Sequence, residues 1–241
     1  MTRIVAISDT HGLHLQLPAL PDGDILIHTG DFCARGDMVD CIKFFNWFNT
    51  KPHKHKIVIA GNHDIFMDVN YLNGGGNQSA IDMLIPEGVT YLNDSGCEVE
   101  GIKFWGSPVQ PTFFNWAFNR DRGPKIRKHW SLIPNDIDVL LTHGPCYGIV
   151  DGAPIYTNYS IRAKLPEPRH VGCKDLLGTI NRVKPSLHIC GHIHSAYGDS
   201  SSNGTTFVNA SVCNEEYILV NKPYVVDING KSVTIVKNNE S

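Results

Sequence analysis

The sequence lacks the features that mark membrane-spanning, secreted and disulfide-rich proteins. None of its apolar runs approaches the roughly 18 consecutive residues that cross a bilayer, and its first nine residues lack the apolar stretch and cleavage site of a secretory signal. The seven cysteines are odd in number and form no CxxC pair, which suits free thiols in a reducing compartment. We therefore expect a cytoplasmic protein that has no membrane partner.

The chain also has little excess charge of either sign. Its 21 Lys and Arg residues against 24 Asp and Glu residues give a net charge of −3, so binding of an extended nucleic acid is not expected. The content of hydrophobic residues, 41%, is too high for a disordered chain, and no repeat or long linker divides the sequence. We predict one domain over residues 1–241, in which the segments 73–77 and 200–204 are loops, and we leave the oligomeric state open.

Short apolar runs predict the strands of an α/β fold. Such runs are typical of strands that are buried on both faces of a sheet, and the clearest are Arg3–Ile7, Asp24–His28, Lys56–Ala60, Asp138–Leu141 and Leu187–Cys190. Apolar residues spaced by three and four predict helices over 39–48 and 173–183. Two further runs, Tyr224–Ile228 and Lys231–Val236, flank Asn229-Gly230, which favours a type I′ turn and predicts a hairpin.

Each of the five predicted strands is followed by Asp, Asn or His near a glycine. The five junctions are Ser8-Asp9-Thr10-His11-Gly12, Gly30-Asp31, Gly61-Asn62-His63-Asp64, Thr142-His143-Gly144-Pro145 and Gly191-His192-Ile193-His194. Ligands of open α/β sheets bind at the carboxyl ends of strands, and glycine lets the backbone approach a ligand closely. A single Gly-Asp is usually a turn, but five such junctions predict one convergent site. Histidines 28, 129 and 188 lie outside the junctions and are interpreted as structural.

In order and in residue type, the five junctions resemble the motif blocks of the calcineurin-like metallophosphoesterase superfamily. They span positions 9 to 194, which is most of the chain. The resemblance implies a four-layer α-β-β-α sandwich, in which two mixed sheets pack face to face with helices outside, and a dinuclear metal site at the carboxyl ends of the strands. The ligands that it implies are Asp9, His11, Asp31 and His194 for one metal and Asp31, Asn62, His143 and His192 for the other, with Asp31 bridging the two.

The chemistry of these side chains agrees with such a site. Two cations about 3.5–4 Å apart need a carboxylate between them to offset their repulsion. Imidazole and carboxylate donors without a thiolate disfavour a structural zinc site and favour two divalent ions, Mn²⁺ first, with Fe, Zn²⁺ and Ni²⁺ as alternatives. Two divalent ions and two carboxylates leave a charge of about +2, which attracts a phosphoryl group but does not distinguish a diester from a monoester.

The resemblance to a phosphoesterase predicts hydrolysis by a hydroxide that bridges the two metals and attacks phosphorus. His63 is the histidine of the motif blocks that has no metal to bind, and we predict that it protonates the leaving oxygen. We expect the carboxylate of Asp64 to orient the His63 ring, and a structural role beside the ligands is the alternative for His63. Because the ligand histidines must be neutral, we expect activity to decline below about pH 6–7.

The segment 111–123 is a candidate for substrate recognition, since it joins four aromatic residues to two arginines. One interpretation is a wall of the cleft that stacks a base and binds phosphate through Arg122. The other, which we favour, is an aromatic-packed surface loop with a solvated basic end.

Further stretches resemble the small metallophosphoesterase-domain proteins known from brain and from microbes. These stretches are Gly106-Ser107-Pro108, Phe118-Asn119 with Arg122-Gly123, His170-Val171-Gly172-Cys173 and Asn209-Ala210-Ser211. That branch is associated with hydrolysis of phosphodiesters, including cyclic nucleotides, so the resemblance implies a small phosphodiester or nucleotide substrate. Some of its members have glycine in place of His192, and the histidine here predicts a fully occupied second metal site. The alternatives are a phosphomonoesterase, including a protein phosphatase, a nuclease acting at the same site, and a non-catalytic scaffold.

Overall fold

The computed structural model describes residues 1–72, 74–154 and 168–236, so Asn73 of the predicted loop 73–77 lies outside the described residues. The strands are β1 (Thr2–Ile7), β2 (Ile25–Thr29), β3 (His55–Ile59), β4 (Thr90–Tyr91), β5 (Ser95–Val99), β6 (Ile102–Ser107), β7 (Gln110–Pro111), β8 (Asn119–Arg120), β9 (Val139–Thr142), β10 (Gly152–Ala153), β11 (Arg169–His170), β12 (Leu187–Cys190), β13 (Gly198–Ser202), β14 (Thr205–Asn209), β15 (Tyr224–Asn229) and β16 (Ser232–Ile235). The helices are α1 (Met38–Asn49), α2 (Gln78–Leu84), α3 (Pro124–Trp130) and α4 (Lys174–Val183). Within the described ranges, no helix has the length and apolar character needed to cross a membrane.

Two six-stranded sheets pack face to face. The first has the strand order β16-β15-β1-β2-β3-β4, and the second has the order β13-β14-β12-β9-β6-β5. In the first sheet β1, β2, β3 and β4 run parallel, while β15 and β16 pair antiparallel; in the second β14, β12, β9 and β6 run parallel, and the edge strands β13 and β5 pair antiparallel. Apolar side chains of both sheets, among them Ile4 and Ile27 of the first and Leu141 and Ile189 of the second, meet in one buried cluster. This arrangement confirms the predicted pair of mixed sheets.

Helices cover the outer faces of the two sheets and complete the four layers. Phe44 and Phe48 of α1 pack with Val5 and Leu26 on the outer face of the first sheet. The second sheet is covered by α3 and α4, whose buried residues include Ile126, Trp130, Leu176 and Ile180. Because their strands are covered on both faces, the central strands have continuous apolar sequences. The five predicted strands and the two predicted helices are confirmed to within one residue at each end.

The predicted loop 200–204 is wrong, because this segment belongs to a hairpin. β13 ends at Ser202 and β14 begins at Thr205. The turn between them consists of Asn203 and Gly204, with φ values of 52° and 82°, as a type I′ turn requires. Asp199, Ser200 and Ser201 in the middle of the edge strand β13 are exposed, and its sequence GDSSS has no apolar run that would indicate a strand. The predicted hairpin around Asn229-Gly230 is confirmed as β15 and β16.

The parallel strands of both sheets end at the same edge of the sandwich. Ser8, directly after β1, donates its N–H to the carbonyl oxygen of Ala210 and accepts the N–H of Val212, both at 2.9 Å. Ala210 directly follows β14, so these hydrogen bonds join the carboxyl end of β1 in the first sheet to that of β14 in the second. The segments that follow β1, β2, β3, β9 and β12 therefore meet in one region, which is where α/β folds bind their ligands.

Candidate metal centre

Side chains that follow these five strands come together at this edge. Their donor atoms form three overlapping groups, each within 4.8 Å: Asp9, His11 and His194; His11, Asp31 and His63; and Asp31, His143 and His192. Asn62 joins the last group, because its Oδ1 lies 3.0 Å from Nε2 of His143. The structure thus brings together all seven side chains that the sequence predicted as metal ligands, with His63 beside them.

Both sheets contribute donors to the cluster. The donors after β1, β2 and β3 of the first sheet are Asp9, His11, Asp31 and Asn62, and those after β9 and β12 of the second are His143, His192 and His194. Two close pairs cross from one sheet to the other. Oδ1 of Asp9 lies 3.3 Å from Nε2 of His194, and Oδ2 of Asp31 lies 3.3 Å from Nε2 of His143. The candidate site therefore joins the two halves of the sandwich.

Four of the seven candidate ligands have a left-handed backbone conformation, with φ values of 55° at Asp9, 42° at His11, 54° at Asp31 and 67° at His192. Residues other than glycine rarely adopt it, and where they do, the surrounding structure must fix them, often at functional sites. Here the N–H groups of Asp9 and His11 donate to the carbonyl oxygens of Gly30 and Asp31, both at 2.9 Å. The N–H of His192 donates to Oδ2 of Asp9 at 2.9 Å. The backbone thus holds these donors in position through its own hydrogen bonds.

Two of the glycines in the motif blocks allow close packing beside the carboxylates. A Cβ atom on Gly191 would overlap Oδ2 of Asp9 and Oγ of Ser8, and one on Gly61 would overlap Oδ1 and the backbone nitrogen of Asp31. Any larger residue at either position would displace a candidate ligand. The requirement at these two positions is therefore space, which explains why glycine accompanies the donors in the sequence.

Hydrogen bonds outside the cluster orient two of the imidazole rings. Nδ1 of His194 donates to the carbonyl oxygen of Asn214 at 2.8 Å, and Nδ1 of His143 donates to that of Thr29 at 2.9 Å. Each ring therefore presents Nε2 to the cluster, in the manner typical of metal-binding histidines. On the carboxylate side, Oγ of Ser211 donates to Oδ2 of Asp9 at 2.8 Å.

The two buried carboxylates remain ionised. Burial acts to raise the pKa of Asp31, but the charge and hydrogen bond of His143 outweigh it and hold that pKa far below its ordinary value. Burial opposes ionisation of Asp9 in the same way, and the hydrogen bond and charge of His194 lower its pKa well below the ordinary value. Two negative charges that are almost completely removed from water require positive charge close by.

The histidines of the cluster divide into two classes. Burial acts to lower the pKa of His143, but Asp31 raises it to about 9, and Asp9 raises the pKa of His194 against the same effect of burial. Burial lowers the pKa of His11 to about 4 and that of His192 to about 3. In the metal-free protein at neutral pH, a proton on His143 therefore supplies positive charge that the carboxylates need, and the raised pKa of His194 favours a second proton.

Cations fit this donor set. The donors are carboxylate and amide oxygens and imidazole nitrogens, a combination that suits Mn²⁺, Fe, Zn²⁺ and Ni²⁺. Nε2 of His11 and Nε2 of His194 lie 3.1 Å apart, so two nitrogen atoms face each other across a position that attracts a proton or a metal ion. Nδ1 of His11 is buried and has no hydrogen-bond partner among the described residues.

The protons on His143 and His194 lead to a prediction about metal binding. A metal ligand must be neutral imidazole, so Mn²⁺ has to displace the proton of His143 at pH 7 and any proton that His194 carries. Because both pKa values are raised, we expect the affinity for Mn²⁺ to increase as the pH rises from 6.5 towards 9. Calorimetric titration of metal-depleted protein in buffers of different ionisation enthalpy measures the proton count. An affinity that is constant with pH, without proton release, would contradict the assignment of His143 and His194 as ligands.

His63 lies at the edge of the cluster, held by contacts other than the predicted one. Its Nδ1 donates to the carbonyl oxygen of Ala34 at 3.2 Å, and its ring stacks on Trp116 with a centroid distance of 4.1 Å and an interplanar angle of 24°. The predicted orientation of His63 by Asp64 is wrong. The Asp64 carboxylate is fully buried and accepts backbone N–H groups, from Gly61 at 2.7 Å and from Cys33 at 2.8 Å. Asp64 thus fixes the segments after β2 and β3 and does not contact the His63 ring.

The aromatic segment 111–123 combines both interpretations of the sequence. Phe113 lines the cleft above the donors, with its ring 5.8 Å from that of His192, while Phe118 is buried against the first sheet. Arg122 does not lie among the described residues that line the cleft. Its guanidinium donates to the carbonyl oxygens of Val171 and Gly172 at 2.7 and 2.8 Å. The predicted contact of Arg122 with substrate therefore has no support, because its donors are engaged in joining two loops.

The motif analysis does not identify two residues that lie beside the candidate site, Asn214 and Tyr217. Asn214 supplies the carbonyl oxygen that orients His194. Tyr217 lines the cleft, and its ring lies 4.7 Å from that of His11. Both residues lie between β14 and β15, outside the motif blocks, in a segment whose apolar residues follow neither a helical nor a strand periodicity. The stretch Asn209-Ala210-Ser211, by contrast, is visible in the sequence through its resemblance to the family, and the structure adds that Ser211 donates a hydrogen bond to Asp9.

Comparisons with known proteins agree with this geometry. Metallophosphoesterase domain-containing protein 1 of Homo sapiens is 39% identical to this chain, and the alignment covers 94% of this chain and 71% of the human protein. A UPF0046 protein of Caenorhabditis elegans is 40% identical over 94% of this chain and 80% of its own length. In fold, the chain is similar to the phosphopantetheinyl hydrolase of Mycobacterium tuberculosis, with a TM-score of 0.56, 14% identity, and coverage of 89% of this chain and 90% of the other.

The sequence model of the calcineurin-like phosphoesterase family matches residues 2–196, a range that includes every candidate ligand and His63. The two-sheet fold, the donor cluster at its strand ends and this match lead to the same conclusion. The chain belongs to the calcineurin-like phosphoesterase family, whose members use divalent metals.

Proposed function

We propose that the protein is a metal-dependent phosphodiesterase that hydrolyses small nucleotides, such as cyclic nucleotides. The observation that carries the proposal is the composition of the cleft above the donor cluster. Its described lining includes His11, Asp31, Asn62, His63, Phe113, His192, His194, Glu215 and Tyr217, and no Lys or Arg. Among the described residues, the donor cluster itself is therefore the part of the cleft that can recruit positive charge for a phosphoryl group, by binding metal ions.

Two metal ions fit the donors in the way that the motif blocks imply. Asp9, His11, Asp31 and His194 would hold one, and Asp31, Asn62, His143 and His192 the other. Bound divalent ions lower the pKa of water and offset the negative charge that develops at phosphorus. The donor chemistry favours Mn²⁺, with Fe, Zn²⁺ and Ni²⁺ as alternatives.

The contacts of His63 support a role in proton transfer during the reaction. The carbonyl oxygen of Ala34 accepts the proton on Nδ1, so Nε2 is the nitrogen that remains for exchange. Stacking on Trp116 supports the protonated ring through a cation–π contact. Protonated His63 transfers its Nε2 proton to the leaving oxygen, and the neutral ring keeps its hydrogen bond to Ala34.

The charge of the cleft favours a diester over a monoester. At neutral pH a phosphomonoester carries about one more negative charge than a diester, and enzymes commonly meet such a charge with arginine or lysine. The described lining lacks such cations. Its aromatic rings suit instead the second organic group that a diester has. A long nucleic acid would favour a wide basic surface, which a net charge of −3 does not suggest.

The test compares bis-p-nitrophenyl phosphate with p-nitrophenyl phosphate after metal depletion and reloading with Mn²⁺. We expect kcat/KM to be larger for the diester by at least about tenfold, and we expect excess EDTA to abolish both activities. The 2′,3′- and 3′,5′-cyclic nucleotides are then compared under the same conditions. A preference for the monoester would indicate a phosphomonoesterase, and inactivity with Mn²⁺, Fe²⁺, Zn²⁺ and Ni²⁺ would indicate a non-catalytic scaffold.

A further inference from the structure

Tyr217 places an aromatic ring directly beside the candidate metal ligands. Its ring centroid lies 4.7 Å from that of His11, 5.5 Å from that of His194 and 6.2 Å from that of His63. The side chain is 50% exposed although it lines the cleft, so half of its surface is available to a bound molecule. Among the described residues, no hydrogen bond to its hydroxyl group accounts for this position.

The backbone around Tyr217 is fixed by one residue, Asn214. Tyr217 has a φ of 58°, a conformation that side chains of its size rarely adopt. Its N–H donates to the carbonyl oxygen of Asn214 at 3.0 Å, while Oδ1 of Asn214 accepts the N–H groups of Glu216 and Ile218, both at 3.0 Å. The same carbonyl oxygen of Asn214 orients His194. The turn that carries Tyr217 is therefore anchored to a candidate metal ligand.

Phe113 supplies a second ring at the other end of the cluster. It is 48% exposed, it lines the same cleft, and its ring is nearly perpendicular to that of His192 at 5.8 Å. Tyr217 contacts the rings of His11 and His194, so the two aromatic residues lie against different donors. They come from segments about a hundred residues apart, 113 and 217. The Phe113 ring also contacts that of Phe114, at a centroid distance of 4.5 Å, and both Phe113 and Tyr217 line the cleft that a ligand can enter.

Neutral rings at these positions have no attraction for the phosphoryl group itself. The phenol of tyrosine has an ordinary pKa of about 10 and the phenyl ring of phenylalanine does not titrate, so both side chains are neutral at pH 7. Aromatic side chains do bind flat, polarisable groups, and stacking is effective for every base because each has a π-face. The rings are therefore suited to the organic part of an ester whose phosphoryl group lies at the metal ligands.

We propose that Tyr217 and Phe113 are specificity-determining residues that contact a planar aromatic group of the substrate. The cleft then selects phosphodiesters with an aromatic ring or a nucleobase over those with only small alkyl groups. This inference rests on the proposed phosphodiesterase activity and adds the class of organic group that the site accepts.

The test uses two diesters with the same chromogenic leaving group, phenyl p-nitrophenyl phosphate and methyl p-nitrophenyl phosphate. We expect Tyr217→Leu to lower kcat/KM for the phenyl ester about tenfold, through KM, and for the methyl ester less than about twofold. Tyr217→Phe keeps the ring and is expected to keep the wild-type ratio. Tyr217→Asn removes the ring with a residue that tolerates a left-handed backbone, so it separates loss of the ring from distortion of the turn. Phe113→Leu should lower the ratio in the same direction.

Ile218→Ala is the matched control, because this exposed side chain lies on the same turn but not in the cleft lining. Metal content is measured for every variant and should equal that of the wild type. If wild-type protein cleaves both esters but Tyr217→Leu and Tyr217→Asn keep its substrate ratio, the specificity role is overturned. If wild-type protein cleaves neither ester with any of the four metals, the proposed phosphodiesterase activity fails instead.

Discussion

Replacement of Asp31 by asparagine is expected to remove the metals and to reduce kcat/KM by about 10³-fold or more. The Asp31 carboxylate belongs to two of the three donor groups, and its side chain is almost completely buried. Asparagine has nearly the same shape but no charge, so it cannot offset the repulsion between two cations. In the present structure Oδ1 of Asp31 accepts the backbone N–H of His63 at 2.7 Å, and the amide oxygen of asparagine can accept the same hydrogen bond. The loss should therefore come from charge and not from a collapse of the turn.

Metal content by mass spectrometry and kcat/KM for bis-p-nitrophenyl phosphate are the two measurements for Asp31→Asn. Asp22→Asn serves as the control, because Asp22 is exposed and is not part of the donor cluster. The control should bind metal and act as the wild type does. Two metal ions per chain in Asp31→Asn, with wild-type activity, would show that Asp31 does not bridge them.

Replacement of His63 by alanine is expected to lower kcat by about 10²-fold or more while both metals stay bound. The proposed proton donor matters most when the leaving oxygen is basic. We therefore expect a larger loss with a cyclic nucleotide, which leaves as an alkoxide, than with bis-p-nitrophenyl phosphate, which leaves as a stabilised phenolate. A purely structural role would lower both rates by the same factor.

Metal analysis of His63→Ala separates a proton donor from a ligand. The question is open chemically, because a ring nitrogen of His63 lies within 4.8 Å of donor atoms of His11 and Asp31. A variant that has lost one metal would make His63 a ligand. Trp116→Leu offers a milder comparison, since it removes the stacked ring and keeps the imidazole, and its loss of kcat should be smaller.

The central strands and the donors were predictable from the sequence for one physical reason. A strand that is covered on both faces needs apolar residues at nearly every position, so its end is visible where glycine and several polar residues follow the apolar run. Leu187–Cys190 and the following Gly191-His192 illustrate this for β12. Edge strands lack this apolar run, so the serine-rich sequence of β13 resembles that of a loop.

The directions in which individual side chains point could not be predicted from the sequence. Asp64 follows His63 directly, yet its carboxylate points into the turn because the N–H groups of Gly61 and Cys33 need an acceptor there. Arg122 has the charge of a phosphate ligand, but two carbonyl oxygens of a distant loop satisfy it. Tyr217 reaches the cleft only because a single asparagine closes its turn. These outcomes depend on contacts between segments that are far apart in the chain.

The division of the donor cluster between two sheets has a consequence for protein synthesis. Chains fold as they leave the ribosome, amino terminus first. A nascent chain that ends before residue 194 lacks the candidate ligand His194. A chain that ends before residue 214 lacks the carbonyl group of Asn214, which orients the His194 ring. The first sheet also waits for β15, which lies beside β1 and comes from the last part of the chain. The complete donor cluster and the sheet that supports it therefore form only after synthesis has passed β15.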